Sequence, residues 1–271
     1  MCRKSTLKHY PVFGVHYKRS RQLFNKDSNI DLIDTVNNAY STLVQERQGW
    51  CSKYDISALT AKVLSDYALL SKIELKDKKV LNIGCFQPVD EVFFIDIVNE
   101  WTALDINKKV IALSEKLALE ALSDKSFSKL TFVVGDATGL TFDDNYFDIV
   151  TSFSTIDHIP CSESRKKAIS EMCRVVKKGG YIVVTIPNKW DIYYSYMSNK
   201  LQKSDQAVFG YEYQFSPIEL RKMLVSNGLR IIDCASTNFN PHSYFDKLLR
   251  KFGVHKVKIY FGSRFGFLAQ K

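Results

Sequence analysis

Residues Leu130 to Pro160 read LTFVVGDATGLTFDDNYFDIVTSFSTIDHIP. LTFVVG is a short apolar run that stops at Gly135, and YFDIVTS (146–152) is a second run that opens into the polar turn FSTIDHIP. Two runs of this length, bounded by Gly, Asp and Asn, read as strands. Asp136 and Ala137 then stand at the carboxyl end of one strand, and Thr151 to His158 at the carboxyl end of the next. In open α/β sheets, ligands bind at those ends.

The same rhythm extends in both directions. KKVLNIG (78–84), WTALDI (101–106), GGYIVVTIP (179–187), LRIIDCAS (229–236) and RFGFLAQ (264–270) are further strand candidates. Helical periodicity fills 107–122, 163–177 and 217–227, and two amphipathic helices are expected upstream, at 31–50 and at 56–72. Strands alternating with helices of this length predict a parallel sheet covered on both faces. The last two strands lack a full intervening helical unit, which predicts an antiparallel edge. Residues 189–215 form a long aromatic insertion, KWDIYYSYMSNKLQKSDQAVFGYEYQF. Its rings suit either a pocket for a flat, partly apolar substrate or the anchoring of a cap helix on the core.

The 271 residues are 45% hydrophobic, enough for one large α/β domain with an added cap. No apolar run approaches the ~20 residues that span a bilayer, and the basic N-terminus lacks the apolar core of a signal peptide, so a cytoplasmic protein is expected. The six cysteines show no C-x-x-C pair and no accompanying histidine cluster, so reduced thiols and no metal site are expected. Residues 1–30 and 241–271 each hold seven Lys/Arg against one acid, a net +6 at either end. The total is +9, so the middle carries −3. Basic ends suit an acidic partner such as nucleic acid, a membrane surface or a phosphorylated substrate, or serve solubility alone.

The order Gly135-Asp136-Ala137, then Leu140-x-Phe142, then Asp144-x-x-Phe147-Asp148, resembles class I S-adenosylmethionine-dependent methyltransferases. It is most similar to the small-molecule branch that includes quinone-biosynthesis enzymes, and the resemblance runs from about Lys79 to Lys271. It implies an α/β, Rossmann-like, seven-stranded, mostly parallel sheet with helices on both faces, an antiparallel edge and a helical, aromatic cap. The expected organisation is a basic segment and cap helix over 1–55, then a methyltransferase domain over 56–271 with its cap insertion at 189–215.

The resemblance also implies site residues. Gly84 and Cys85 would meet the methionine end of S-adenosyl-L-methionine, in a turn where the family has an acid at 82 and glycines at 86 and 88. This chain has Asn82, Phe86 and Pro88 there. Asp105, 21 residues after Gly84, would bind the ribose diol, unless it caps the next helix. Asp136 and Ala137 would bind the adenine, unless Asp136 only forms a turn. Ile106 and Phe153 would complete the cofactor site. His158 is the candidate general base, because imidazole as a side-chain type titrates near neutral pH. Asp157 is an alternative base or a partner for a substrate cation, unless both residues cap the helix after Pro160. The implied acceptor is a small molecule. RNA or protein methylation is the alternative that the basic ends suggest, and a non-catalytic scaffold is the one that the altered loop suggests. There is no G-x-S-x-G, P-loop or H-E-x-x-H, and the Asn/Asp-Pro-Pro-aromatic motif of base-amine methyltransferases is absent.

Overall fold

The computed structural model describes Asp66, residues 68–204, 210–237, Gly262 and 264–271. The helix expected at 31–50 lies outside these residues, as does the whole segment 1–55. Of the helix expected at 56–72, Asp66 and residues 68–72 are described: Asp66 and 68–70 are helical, and 71–72 form a turn, so the helix ends short of the expected bound.

Seven strands form one sheet in the order β3-β2-β1-β4-β5-β7-β6. They are β1 Lys79–Ile83, β2 Glu100–Asp105, β3 Leu130–Val134, β4 Phe147–Phe153, β5 Val176–Pro187, β6 Arg230–Thr237 and β7 Arg264–Gln270. β1 to β5 run parallel, and β7 pairs antiparallel with both β5 and β6. The opposed strand expected near the sheet's end is therefore β7, one place in from the edge. The α-helices are α1 Val89–Phe94, α2 Lys108–Ala121, α3 Asp124–Phe127, α4 Ser162–Val175, α5 Ile192–Lys203 and α6 Pro217–Ser226. A 3-10 turn, Ile156–His158, follows β4.

The strands bury both faces, which explains their nearly continuous apolar runs. Leu81 and Ile83 of β1, with Ile182, Val184 and Ile186 of β5, enter one core with Ala168, Met172, Leu220 and Leu224 of α4 and α6. The alternate positions Val80 and Val183 enter a second core with Trp101, Phe94, Ile111, Leu69 and Leu70. This is the period-two alternation of side chains along a strand. Each fully buried Leu, Ile or Phe contributes roughly 1.5–3 kcal/mol.

β5 begins at Val176, three residues before the strand start expected at Gly179, so Gly179 and Gly180 do not stop a helix. α4 already ends at Val175, and the pair lies inside β5, where a side chain on Gly180 would press on the Asp148 carbonyl oxygen. The loop after β3 is held by α4: Arg174 donates to the carbonyls of Leu140 and Phe142 and to Asp144, while Glu171 accepts from the Leu140 amide. The Leu-x-Phe pattern is thus structural.

Candidate active site

Strand order reverses between β1 and β4, so a crevice opens at their carboxyl ends, where such sheets hold ligands. β1 leads into Gly84, whose φ is +79°, and a β-carbon there would collide with the Thr155 side chain. Both facts require glycine. The Gly84 and Cys85 amides donate to the Leu104 carbonyl at 2.7 and 3.1 Å, tying the turn to β2. The Cys85 side chain is buried, and burial pushes its thiol well above the usual range. Phe86 has φ +40°, so this position keeps a glycine-like backbone although it carries a ring. Its amide donates to Asp105 Oδ2 at 3.3 Å, and its carbonyl accepts from Ser114 Oγ. Pro88 occupies the cap position before α1, where a missing N–H costs least.

Asp105 ends β2. Its Oδ1 accepts from the Asn107 amide at 2.9 Å, and burial raises its pKa despite that bond and the one from Phe86. The N-cap of α2 is Asn107, which accepts from the Lys109 and Val110 amides, so Asp105 does not cap the helix. Ile106 is 42% exposed and Val134, paired in register with Asp105, is 50% exposed. Two apolar side chains at adjacent strand ends leave a surface that a flat ring would cover. Asp136 is exposed and makes a turn, accepting from the Thr138 amide at 2.8 Å through Oδ1. Ala137 and Phe153 are buried beside these positions. The ribose-and-adenine half of the expected cofactor fits this surface. At the methionine half, the amides of residues 84–86 are already used within the fold.

The acid expected at position 82 arrives by another route. Asn82 Nδ2 donates to Glu91 Oε1 of α1 at 2.6 Å, and Thr151 Oγ1 of β4 donates to Asn82 Oδ1 at 3.0 Å. All three side chains are buried. A carboxylate from the helix thus stands against Asn82, the position where the resemblance leads an acid to be expected.

The second half of the site forms after β4. Asp157 is 0% exposed, and neither of its carboxylate oxygens has a hydrogen-bond partner. Burial pushes its pKa up to about 6, against the pull of His158. His158 Nδ1 lies 2.8 Å from the Tyr211 carbonyl, which can only accept, so Nδ1 carries the proton. His158 Nε2 stands 3.6 Å from Asp157 Oδ2, too far for a hydrogen bond. Neither residue caps the next helix, because the N-cap of α4 is Cys161.

A return segment lies along this turn. The Tyr213 amide donates to the Asp157 carbonyl at 2.7 Å, and Asn188 bridges Phe215. That zipper brings in Glu212, which sequence reasoning missed. Glu212 accepts from Tyr194 Oη at 2.7 Å and from Ser198 Oγ at 3.0 Å, both on α5. One ligand-type atom from each of Asp157, His158 and Glu212 lies within 4.8 Å of the others, and this is the one such trio among the described residues. Arg264, at the start of β7, is close enough for its charge to act on Asp157 and Tyr194, and its buried Nε and Nη2 have no hydrogen-bond partner. The one hint in the sequence was a lone acid amid the aromatics of Tyr211-Glu212-Tyr213.

The insertion's rings divide between the two roles expected of them. Phe215 is in the core and Tyr213 lies under the Arg165 guanidinium, 3.7 Å from ring centre to carbon, so these two anchor. Tyr194 turns its hydroxyl into the polar cluster, while Trp190 and Tyr196 are exposed. Phe209 and the Tyr193 side chain lie outside the described residues.

Comparison with known proteins agrees with this fold. Residues 81–184 match the family model described as a methyltransferase domain. The chain is similar to ltbC of Aspergillus luteorubrus, named as a methyltransferase, with 30% identity over 50% of this chain and 49% of that protein. It is 38% identical to the demethylmenaquinone methyltransferase of Renibacterium salmoninarum over 30% of this chain and 32% of that one. The chain thus spans half or less of the length of these relatives. Among solved structures, the magnesium protoporphyrin IX methyltransferase of Synechocystis PCC 6803, with bound S-adenosylhomocysteine, superposes with a TM-score of 0.55. That match covers 88% of this chain and 85% of that one at 16% identity, a likeness of fold. No helix among the described residues is long and apolar enough to cross a membrane.

Proposed function

We propose, from the premise that this chain belongs to the class I S-adenosylmethionine-dependent methyltransferase superfamily, that it transfers a methyl group from S-adenosyl-L-methionine to a small-molecule acceptor. The observation that carries this reading is Asp105. It is a partly buried carboxylate at the end of β2, released from helix capping by Asn107 and flanked by exposed Ile106 and Val134. A ribose diol would donate to Asp105, an adenine would lie on Ile106 and Val134, and Asp136 would accept from its amino group. Gly84 and Cys85 would border the methionine end, and Phe153 would close the floor.

The cofactor supplies an activated methyl on a sulfonium, so the protein's main contribution is alignment, with a proton acceptor where the acceptor atom needs one. His158 and Asp157 would supply that base, at the carboxyl end of β4 and across the crevice from Asp105. The α5 helix and the return segment through Glu212 would form the lid of the acceptor site.

Calorimetry with S-adenosylmethionine and S-adenosylhomocysteine tests the reading. Micromolar binding is expected in the wild type, and a loss of at least tenfold in Asp105→Ala and Asp105→Asn. Unchanged affinity in both variants, or no binding to a folded wild type at millimolar ligand, would refute it.

A further inference from the structure

We infer that Asp157, His158 and Glu212 form the subsite for an amine, and that the acceptor atom of this enzyme is a nitrogen carried into the site as an ammonium group. The inference rests on the methyltransferase reading above and narrows its substrate class.

The first argument is an unmet need. A fully buried carboxylate with two oxygens lacking hydrogen-bond donors is costly, and native structures retain such a group where something else completes it. The group that completes Asp157 must donate hydrogen bonds or carry positive charge. Glu212, held in place by Tyr194 and Ser198, faces the same space with its remaining lone pairs. The His158 ring is oriented by the Tyr211 carbonyl so that Nε2 turns toward Asp157.

The second argument is charge. Asp157 and Glu212 are two carboxylates set against the one guanidinium of Arg264, whose charge acts on Asp157, and a singly charged ammonium places less charge beside that buried guanidinium than a divalent ion would.

The chemistry closes. The ammonium gives one proton to Asp157, whose pKa near 6 lies close to the working range of a base. The nitrogen lone pair forms the N–C bond to the methyl carbon as the C–S bond breaks. That electron pair stays on sulfur, leaving S-adenosylhomocysteine and an N-methylated ammonium. The proton on Asp157 then passes to solvent.

The test is calorimetry on the full chain with S-adenosylhomocysteine bound, using methylammonium, ethanolammonium, phenethylammonium and the matched phenethyl alcohol. Saturable binding of at least one ammonium is expected, with the alcohol inert. Asp157→Asn and Glu212→Gln should each weaken ammonium binding by about tenfold, the loss of one charged hydrogen bond. Two variants are used because either alone could perturb the fold, which circular dichroism checks. Alcohol binding equal to amine binding would overturn the inference. So would ammonium binding unchanged in both variants, or no saturable ammonium binding up to tens of millimolar. One-to-one binding of Mn²⁺ or Zn²⁺ lost in the same variants would overturn it in favour of a metal. S-adenosylhomocysteine affinity, read in the same titrations, separates the two failures: its absence refutes the methyltransferase reading, while its presence without amine binding refutes the amine subsite alone.

Discussion

The two ends of the crevice treat their buried carboxylates in opposite ways. On the β1–β2 side, Asp105 accepts backbone amides from Phe86 and Asn107, and Glu91 accepts the Asn82 amide group. After β4, Asp157 accepts nothing through its carboxylate and is held by the packing around it. The first side is the finished one in that Asp105 and Glu91 each take at least one donor from the chain itself. The second is unfinished, and the proposed amine would supply the donors that Asp157 lacks.

The largest way to break this contrast is to make the finished side unfinished. Asn82→Asp would set a second carboxylate 2.6 Å from Glu91 in a site closed to water. Both cannot stay ionised there, and the expected loss is about 4 kcal/mol at pH 7, read as a shift of the urea midpoint. Adding Glu91→Gln reverses the polarity of the same hydrogen bond and should recover most of the loss. A double variant no more stable than Asn82→Asp would show that the pair does not act as a unit.

The next effect has the opposite sign and tests the unfinished side. Asp157 carries a folded pKa near 6 against an ordinary value of 3.8. Its raised folded value means the native state holds the proton more tightly, so stability is lost as pH rises from about 4 to about 6. The loss amounts to about 3 kcal/mol and persists above pH 6. His158, Glu212, Tyr194 and Arg264 face the same space, so the transition belongs to the group. Asp157→Asn should therefore be more stable than the wild type at pH 7.5, with the advantage gone near pH 4. Equal stability at both pH values would mean that Asp157 is satisfied in solution.

The same contrast explains what the sequence could reveal. All seven strands were legible as short apolar runs, four of them closed by Gly84, Asp105, Gly135 or Pro187, and Asp105 and Asp136 stand at two of those ends. The expectation that Asp157 and His158 sit together in the turn after β4 needed only their place in the sequence. Glu212 was not legible, because it reaches them through the Tyr211 carbonyl on the His158 ring and the Tyr213 amide on the Asp157 carbonyl, and no periodicity encodes those contacts. Arg264 was hidden for the same reason, since β7 returns to the sheet from the far end of the chain. Glu91 was not legible as the partner of Asn82, because the short helix α1 that carries it has too few turns to show a stripe.

The smallest effect sharpens the comparison from within the finished side. Phe86 holds φ +40°, a region that costs a residue with a β-carbon roughly 1–2 kcal/mol. Phe86→Gly removes that strain but loses the partial burial of the ring and adds freedom to the unfolded chain, which costs about 1 kcal/mol. The net change in stability should lie within about 1 kcal/mol of zero. Cofactor affinity is where the variant speaks clearly. The turn already has the backbone that glycine would adopt, so removing the ring changes the space before the turn and not the turn itself. S-adenosylhomocysteine should bind Phe86→Gly at least as tightly as the wild type, measured by calorimetry. Weaker binding would mean that the ring is itself part of the cofactor surface, and that this chain has replaced backbone approach with an aromatic contact at the methionine end.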